Sequence, residues 1–348
     1  MPVMAWTGPG FVDHHAHLLR AAAFVGRDWG GVDEVRALHQ LCAERGISPV
    51  DADEAPAANN LEQVLRDALQ RAASTGLVEI WEAGMRHMAY WDSLRALRDQ
   101  GALPLRVRVF VAAGLAEHGM PARTGDAWLD VAGVKFYADG WLGPRTCACS
   151  RDFVDQPGNH GLLFEHADHL ARRIEPLASA GWLIATHAIG DRAIEAVLNA
   201  YEQVFGTECR NHAPRIEHAQ LLRPDLVARM DELGVVACIQ PGFAVDDAEQ
   251  ARAGLGDGWP LAYRWSALLD AGVTVVTGSD YPIDDVAPLG GLAKLVGNPF
   301  DQISGHEAWQ LMTRADAGTV TLSADPGSAD IRALGEIAVL GTTPAAAP

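Results

Sequence analysis

Residues 133–140 read GVKFYADG, an apolar run that turns polar at its end. Its length and composition are those of a buried strand. Alternation places Lys135 on one face with Tyr137 and Asp139. An unpaired ammonium is costly to bury. Lys135 and Lys294 are the only lysines among 27 basic residues, so arginine serves almost everywhere else. A guanidinium stays charged, whereas an amine can be neutralised. Lys135 can therefore form a Schiff base, act as a base, or take up CO2 to become an anionic carbamate.

Outward from this run, seven more apolar segments read as strands: 11–17, 77–82, 105–112, 183–187, 215–218, 235–239 and 273–279, with 134–139 as the fourth of eight. Segments with helical spacing lie between them, at 61–73, 91–98, 166–178, 192–204, 224–233 and 262–271. Gly76, Gly181, Gly234 and Gly272 punctuate the helix ends before the next strand. Strand–helix alternation predicts an α/β fold, a TIM (β/α)8 barrel with its site at the strand C-termini. One barrel domain over residues 1–348 fits the length, with 324–348 as a partly disordered extension and 342–348 as a disordered tail. Residues 48–60, rich in Asp, Pro and Ala, read as a surface loop.

Composition narrows the function classes. A formal net charge of −18 argues against nucleic acid or an anionic membrane as partner. No apolar run reaches the ~18 residues of a membrane span, and the N-terminus lacks a signal-peptide pattern. Five cysteines, without zinc-ribbon or disulfide spacing, fit reduced thiols and a cytoplasmic location. The expected partner is a small molecule, with a homo-oligomer as an option.

The chemistry-bearing residues end the apolar runs. His15 and His17 share a strand face, and His187, His218 and Asp280 close three later runs. Imidazoles and carboxylates suit zinc, manganese or ferrous iron. These residues can hold one ion. With a carbamate on Lys135 they can hold two divalent ions: His15, His17 and Asp280 on one, His187 and His218 on the other, Lys135 between them. The nucleophile is then a bridging hydroxide, with Asp280 as proton shuttle. His14 alternates away and reads as structural, while His87, His118, His160, His166, His169, His212 and His306 fall in loops or helices. Asp139 and Arg145 form a loop salt bridge or, with Thr146, contact substrate. Trp81, Trp141 and Tyr281 can line an aromatic pocket, and Gln240 can reach substrate.

Six motifs occur in order: GPGFVDHHAH (8–17), VKFYADGWLGPRT (134–146), HAIGDRA (187–193), RIEHAQ (215–220), IQPGF (239–243) and GSDYP (278–282). On these the chain resembles the metal-dependent amidohydrolase superfamily, in its YtcJ-like (amidohydrolase 3) branch with the N-substituted formamide deformylases. The resemblance covers residues 8–290. It implies a distorted barrel, hydrolysis of C–N bonds, often a carboxylated lysine, and metal ligands at His15, His17, Lys135, His187, His218 and Asp280. Family members add a β-sandwich and a longer insertion after the first strand. Here seven residues precede Gly8 and the segment LGEIAVLG (334–341) is degenerate, so the sandwich is expected to be absent or vestigial. Two rival readings remain. A single-metal aminohydrolase would place a Glu after the fifth-strand histidine, where this chain has Ala-Ile-Gly-Asp (188–191). The other rival is a non-catalytic binding protein on the same fold.

Overall fold

The computed structural model describes residues 5–18, 40, 61–326 and 334–345; the loop expected at 48–60 lies outside them. Eight strands run parallel in chain order: β1 (Trp6–Ala16), β2 (Leu77–Met85), β3 (Arg106–Ala112), β4 (Leu129–Tyr137), β5 (Leu183–Ala188), β6 (Arg215–His218), β7 (Val236–Ile239) and β8 (Val275–Thr277). Each is one of the eight predicted segments. β4 differs most, starting at Leu129 and releasing Asp139 into the following loop.

The ring closes where the chain beyond β8 meets β1. Ala16 and Tyr281 form a parallel bridge, His17 N–H donates to Tyr281 O at 2.7 Å, and Asp280 N–H donates to His15 O at 2.7 Å. Gly278 makes this approach possible, because a Cβ there would lie 2.4 Å from His15 Cβ. The result is the distorted (β/α)8 barrel expected from the sequence.

Helices coat the outside through amphipathic faces. Leu61–Ser74 buries Leu65, Leu69 and Ala72, while Asp191–Phe205 buries Ile194, Val197, Leu198 and Tyr201. A separate, strand-only cluster of Val12, Val78, Trp81, Phe110, Ala132 and Ala185 packs the inner face.

Two further strands, β9 (Thr313–Leu322) and β10 (Val339–Pro344), extend the sheet antiparallel beyond β1. Trp6–Pro9 of β1 pair with Thr319–Leu322 of β9. Among the described residues, the sandwich is reduced to this three-stranded ribbon. The ribbon also corrects one expectation: Thr342, Thr343 and Pro344 are not a disordered tail but the end of β10, ordered by pairing with Gly318–Val320. No described helix is long and apolar enough to cross a membrane.

Candidate metal centre

The polar residues at the strand ends converge on one mouth of the barrel. Asp280 Oδ1 lies 3.3 Å from His15 Nε2 and 3.1 Å from His17 Nε2. The His15 ring is 5.0 Å from that of His218, which is 4.5 Å from that of His187. Ligand atoms of His15, His218 and Asp280 all lie within 4.8 Å of one another. Lys135 is 1% exposed, with Nζ 4.8 Å from the Tyr137 ring centre.

Two of these residues sit in backbone conformations that L-residues rarely adopt: φ is 77° at His218 and 56° at Asp280. Such strain persists where the surroundings over-determine it, commonly at functional sites. At His218 it has a visible effect. Strand alternation would send Glu217 and His218 to opposite faces, yet both approach the His15 ring.

Each of three imidazoles gives one nitrogen to a protein acceptor and keeps the other for the site. His15 Nδ1–H donates to Glu217 Oε2. His218 Nδ1–H donates to Gln240 Oε1 at 2.7 Å, and His187 Nε2–H to Gly140 O at 2.9 Å. These acceptors assign the tautomers, leaving Nε2, Nε2 and Nδ1 as the free lone pairs. Metal-binding histidines have this arrangement. His15 Nε2, Lys135 Nζ, Tyr137 Oη and Asp280 Oδ1 are buried with no hydrogen-bond partner. Buried polar atoms are nearly always partnered, so a cluster of four fits a cation coordinated by this donor set.

The electrostatics follow the same contacts. Burial and the neighbouring His187 push the His218 imidazole well below its ordinary value, keeping it neutral. Burial alone would raise Asp280, but the His15 and His17 imidazoles hold its carboxyl well below the usual range. Burial and the Lys135 ammonium pull His15 down, yet the Asp280 and Glu217 carboxylates outweigh them and its value rises.

The expected substrate contacts fare differently. Asp139 accepts from the N–H groups of Ala148 (2.8 Å), Ile189 (3.0 Å) and Gly190 (2.8 Å), pinning the loops after β4 and β5. Arg145 is buried against Asp155 at 2.8 Å and also donates to Leu142 O. Its ion pair is with Asp155, not the Asp139 expected from the sequence. Thr146 Oγ1 accepts from Trp141 N–H at 3.2 Å. Gln240 serves His218, and Tyr281 is half-buried beside Asp280. Trp141, 37% exposed, stands at the loop surface. His14 donates toward Thr277 O at 3.3 Å beside Trp81, consistent with a structural place.

The sequence reading passed over Arg215, Glu217, Tyr137 and Phe243. The signal for the first two was two opposite charges two residues apart in a short run read as a buried strand, since buried charges are found paired. Phe243 stacks on His218 with centroids 6.0 Å apart. Tyr137 was named only as a face-mate of Lys135.

A family model described as "Amidohydrolase family" matches residues 31–348. The match begins after His15 and His17, which join the site through the geometry above. Protein LONG AFTER FAR-RED 3 of Arabidopsis thaliana is 31% identical over 228 residues, covering 62% of this chain and 39% of that protein. Putative amidohydrolase YtcJ of Bacillus subtilis (strain 168) is 31% identical over 206 residues, 56% of this chain and 39% of its own length. N-substituted formamide deformylase of Arthrobacter pascens is 32% identical over 107 residues, covering 30% of this chain and 20% of that enzyme. The chain thus spans about two fifths of the first two relatives. Among solved structures, an uncharacterized metal-dependent hydrolase from Pyrococcus furiosus superimposes with a TM-score of 0.74 at 21% identity, covering 93% of this chain and 88% of that one. That likeness is one of fold.

Proposed function

Because the chain belongs to the amidohydrolase family, we propose that it is a metal-dependent hydrolase of an amide or related C–N bond, with two divalent ions, zinc foremost. His15, His17 and Asp280 would hold one ion and His187 and His218 the other, with Lys135 carboxylated between them. The observation that carries this reading is the convergence of unpartnered buried atoms: His15 Nε2, Asp280 Oδ1 and Lys135 Nζ. A divalent ion bound there supplies polarisation of the substrate carbonyl and a lowered pKa for water.

The protein's own residues carry the rest. Asp280, kept ionised by the two imidazoles, accepts the proton of the attacking water and returns it to the leaving nitrogen. Its Oδ1 faces His15 Nε2 and His17 Nε2 at 3.3 and 3.1 Å. The Lys135 ammonium first gives up a proton, and the resulting amine reacts with CO2 to give a carbamate and a second released proton. That replaces a buried cation by an anion with two oxygens. Phe243, stacked on His218, and Phe164, packed against Tyr137, give the mouth aromatic walls that suit a neutral N-substituted amide. The name of the Arthrobacter relative points the same way.

The test is metal depletion. Chelation should abolish hydrolysis of a panel of N-substituted amides, and zinc or manganese should restore it. Replacing Asp280 by Asn should lower kcat by about 10²–10⁴ while changing KM little. Full activity in metal-free protein would overturn the proposal. A single-ion aminohydrolase is the second reading, favoured by the mutual approach of His15, His218 and Asp280. One ion per chain at saturation would select it.

A further inference from the structure

Beneath the metal centre lies a buried ion pair with no part in the steps above. Arg215 begins β6 and Glu217 follows two residues later, 6% and 1% exposed. Arg215 Nε donates to Glu217 Oε1 at 2.9 Å and Nη2 to Oε2 at 3.2 Å. The guanidinium is clamped from three sides. Its carbon lies 5.0 Å from the Trp81 ring centre and 5.0 Å from that of Phe110. Its Nη2 also donates to His14 O at 2.9 Å, on β1 itself. Glu217 Oε2 also accepts from His15 Nδ1, and the Cys238 thiol lies beside the same carboxylate.

The three supported imidazoles are not equal. His187 leans on a backbone carbonyl at 2.9 Å, with the Asp139 carboxylate farther off at 3.4 Å, and His218 on a neutral amide, whereas His15 leans directly on a carboxylate. A carboxylate acceptor fixes the tautomer and raises the electron density at the opposite nitrogen more than a neutral one does. Replacing a buried ion pair by apolar residues is often neutral or stabilising, so stability alone does not account for it. Its reach to both the His14 carbonyl and the His15 ring suggests another task.

We propose that the Arg215–Glu217 pair is a positioning device that locks His15 with Nε2 toward the centre and makes the ion held by His15, His17 and Asp280 the tighter of two. Glu217 acts through His15 and touches no substrate. The inference rests on the two-ion reading and adds an order to it: the ion on His187 and His218 leaves first.

The experiment is a zinc titration of the chelator-stripped full-length chain in bicarbonate buffer, read by competition with a chromophoric chelator. The parent should show two affinities. Glu217→Gln should weaken the tighter by about 10- to 100-fold and leave the weaker unchanged. Because this variant strands a buried Arg215, the double variant Arg215→Met with Glu217→Gln is measured beside it. The double variant should melt near the parent temperature and still bind the first zinc weakly. In ¹⁵N-labelled protein, the downfield Nδ1–H resonance of His15 should move in both. Parent-like affinity for both ions in either folded variant would overturn the inference, as would equal weakening of both ions. Failure of the parent to bind zinc at all would instead strike the hydrolase reading.

Discussion

Lys135→Met separates a buried metal-site lysine from an ordinary core lysine by the sign of one stability change. The side chain is 1% exposed and its Nζ has no hydrogen-bond partner. The face of Tyr137 at 4.8 Å offers it a cation–π contact, worth about 1–2 kcal/mol when desolvated. Against that stands an effective burial penalty of several kcal/mol for an ammonium. Methionine has nearly the same length and no charge. In protein stripped of metal and CO2, the substitution should therefore stabilise the fold by about 1–4 kcal/mol. For a chain of this size that is a melting shift of roughly 1–6 °C. With zinc and bicarbonate the order should reverse. The parent gains about 2.7 kcal/mol for an ion at one hundred times its Kd, while the variant loses the anionic bridge and the second ion. The assay is a pair of thermal melts per protein, one with chelator under CO2-free gas and one with zinc and bicarbonate. A metal-free variant less stable than its parent by more than about 2 kcal/mol would refute the reasoning. It would show a lysine already satisfied in its ammonium form.

Further outcomes follow from other residues. Lys135→Ala should lose most activity and the second ion, with partial rescue by acetate; Lys135→Arg should show no rescue. Asp139→Ala strands three backbone N–H groups, each costing about 1–3 kcal/mol. Urea denaturation should show a loss of roughly 3 kcal/mol or more, and Asp139→Asn a smaller one. Burial raises the Asp247 carboxyl despite the hydrogen bond from Tyr263. A raised folded-state value means its stabilising contribution is complete below the unfolded carboxyl pKa and is lost as pH rises through the folded value. Asp247→Asn, which keeps an acceptor for Tyr263, should thus stabilise the protein at pH 7 and not at pH 3.5, measured by denaturant midpoints at the two values.

The barrel was legible because its signal is repeated. Eight apolar runs, six of them followed by a segment of helical spacing and four preceded by a helix-ending glycine, report the same unit several times, so an error in one boundary leaves the topology intact. β4 shows the limit. Its N-terminal half, from Leu129, pairs with β3 from Val107 onward, and pairing of that kind is invisible in a single segment's composition. The same holds for β10. Val339–Pro344 is a poor strand by composition, containing Gly341 and Pro344, and it is ordered by the β9 edge it covers.

At the metal centre, alternation predicted the His15 and His17 pair and failed at the strained His218. His15 and His17 were read correctly as face-mates, and both reach Asp280. Glu217 was missed because a regular strand carrying His218 inward must carry Glu217 outward. The φ of 77° at His218 breaks that rule, and two consecutive residues approach one imidazole ring, Glu217 by a hydrogen bond and His218 with its ring 5.0 Å away. Polar identity misled in the other direction: Asp139, Arg145 and Gln240 have the chemistry of substrate contacts, yet their hydrogen bonds hold loops and a histidine. A residue's type tells what it can bind, while the donors already within 3 Å decide what it has left to offer. Applied to this centre, that criterion passes over Asp139 and selects His15 Nε2, Lys135 Nζ, Tyr137 Oη and Asp280 Oδ1, the four buried atoms still without a partner.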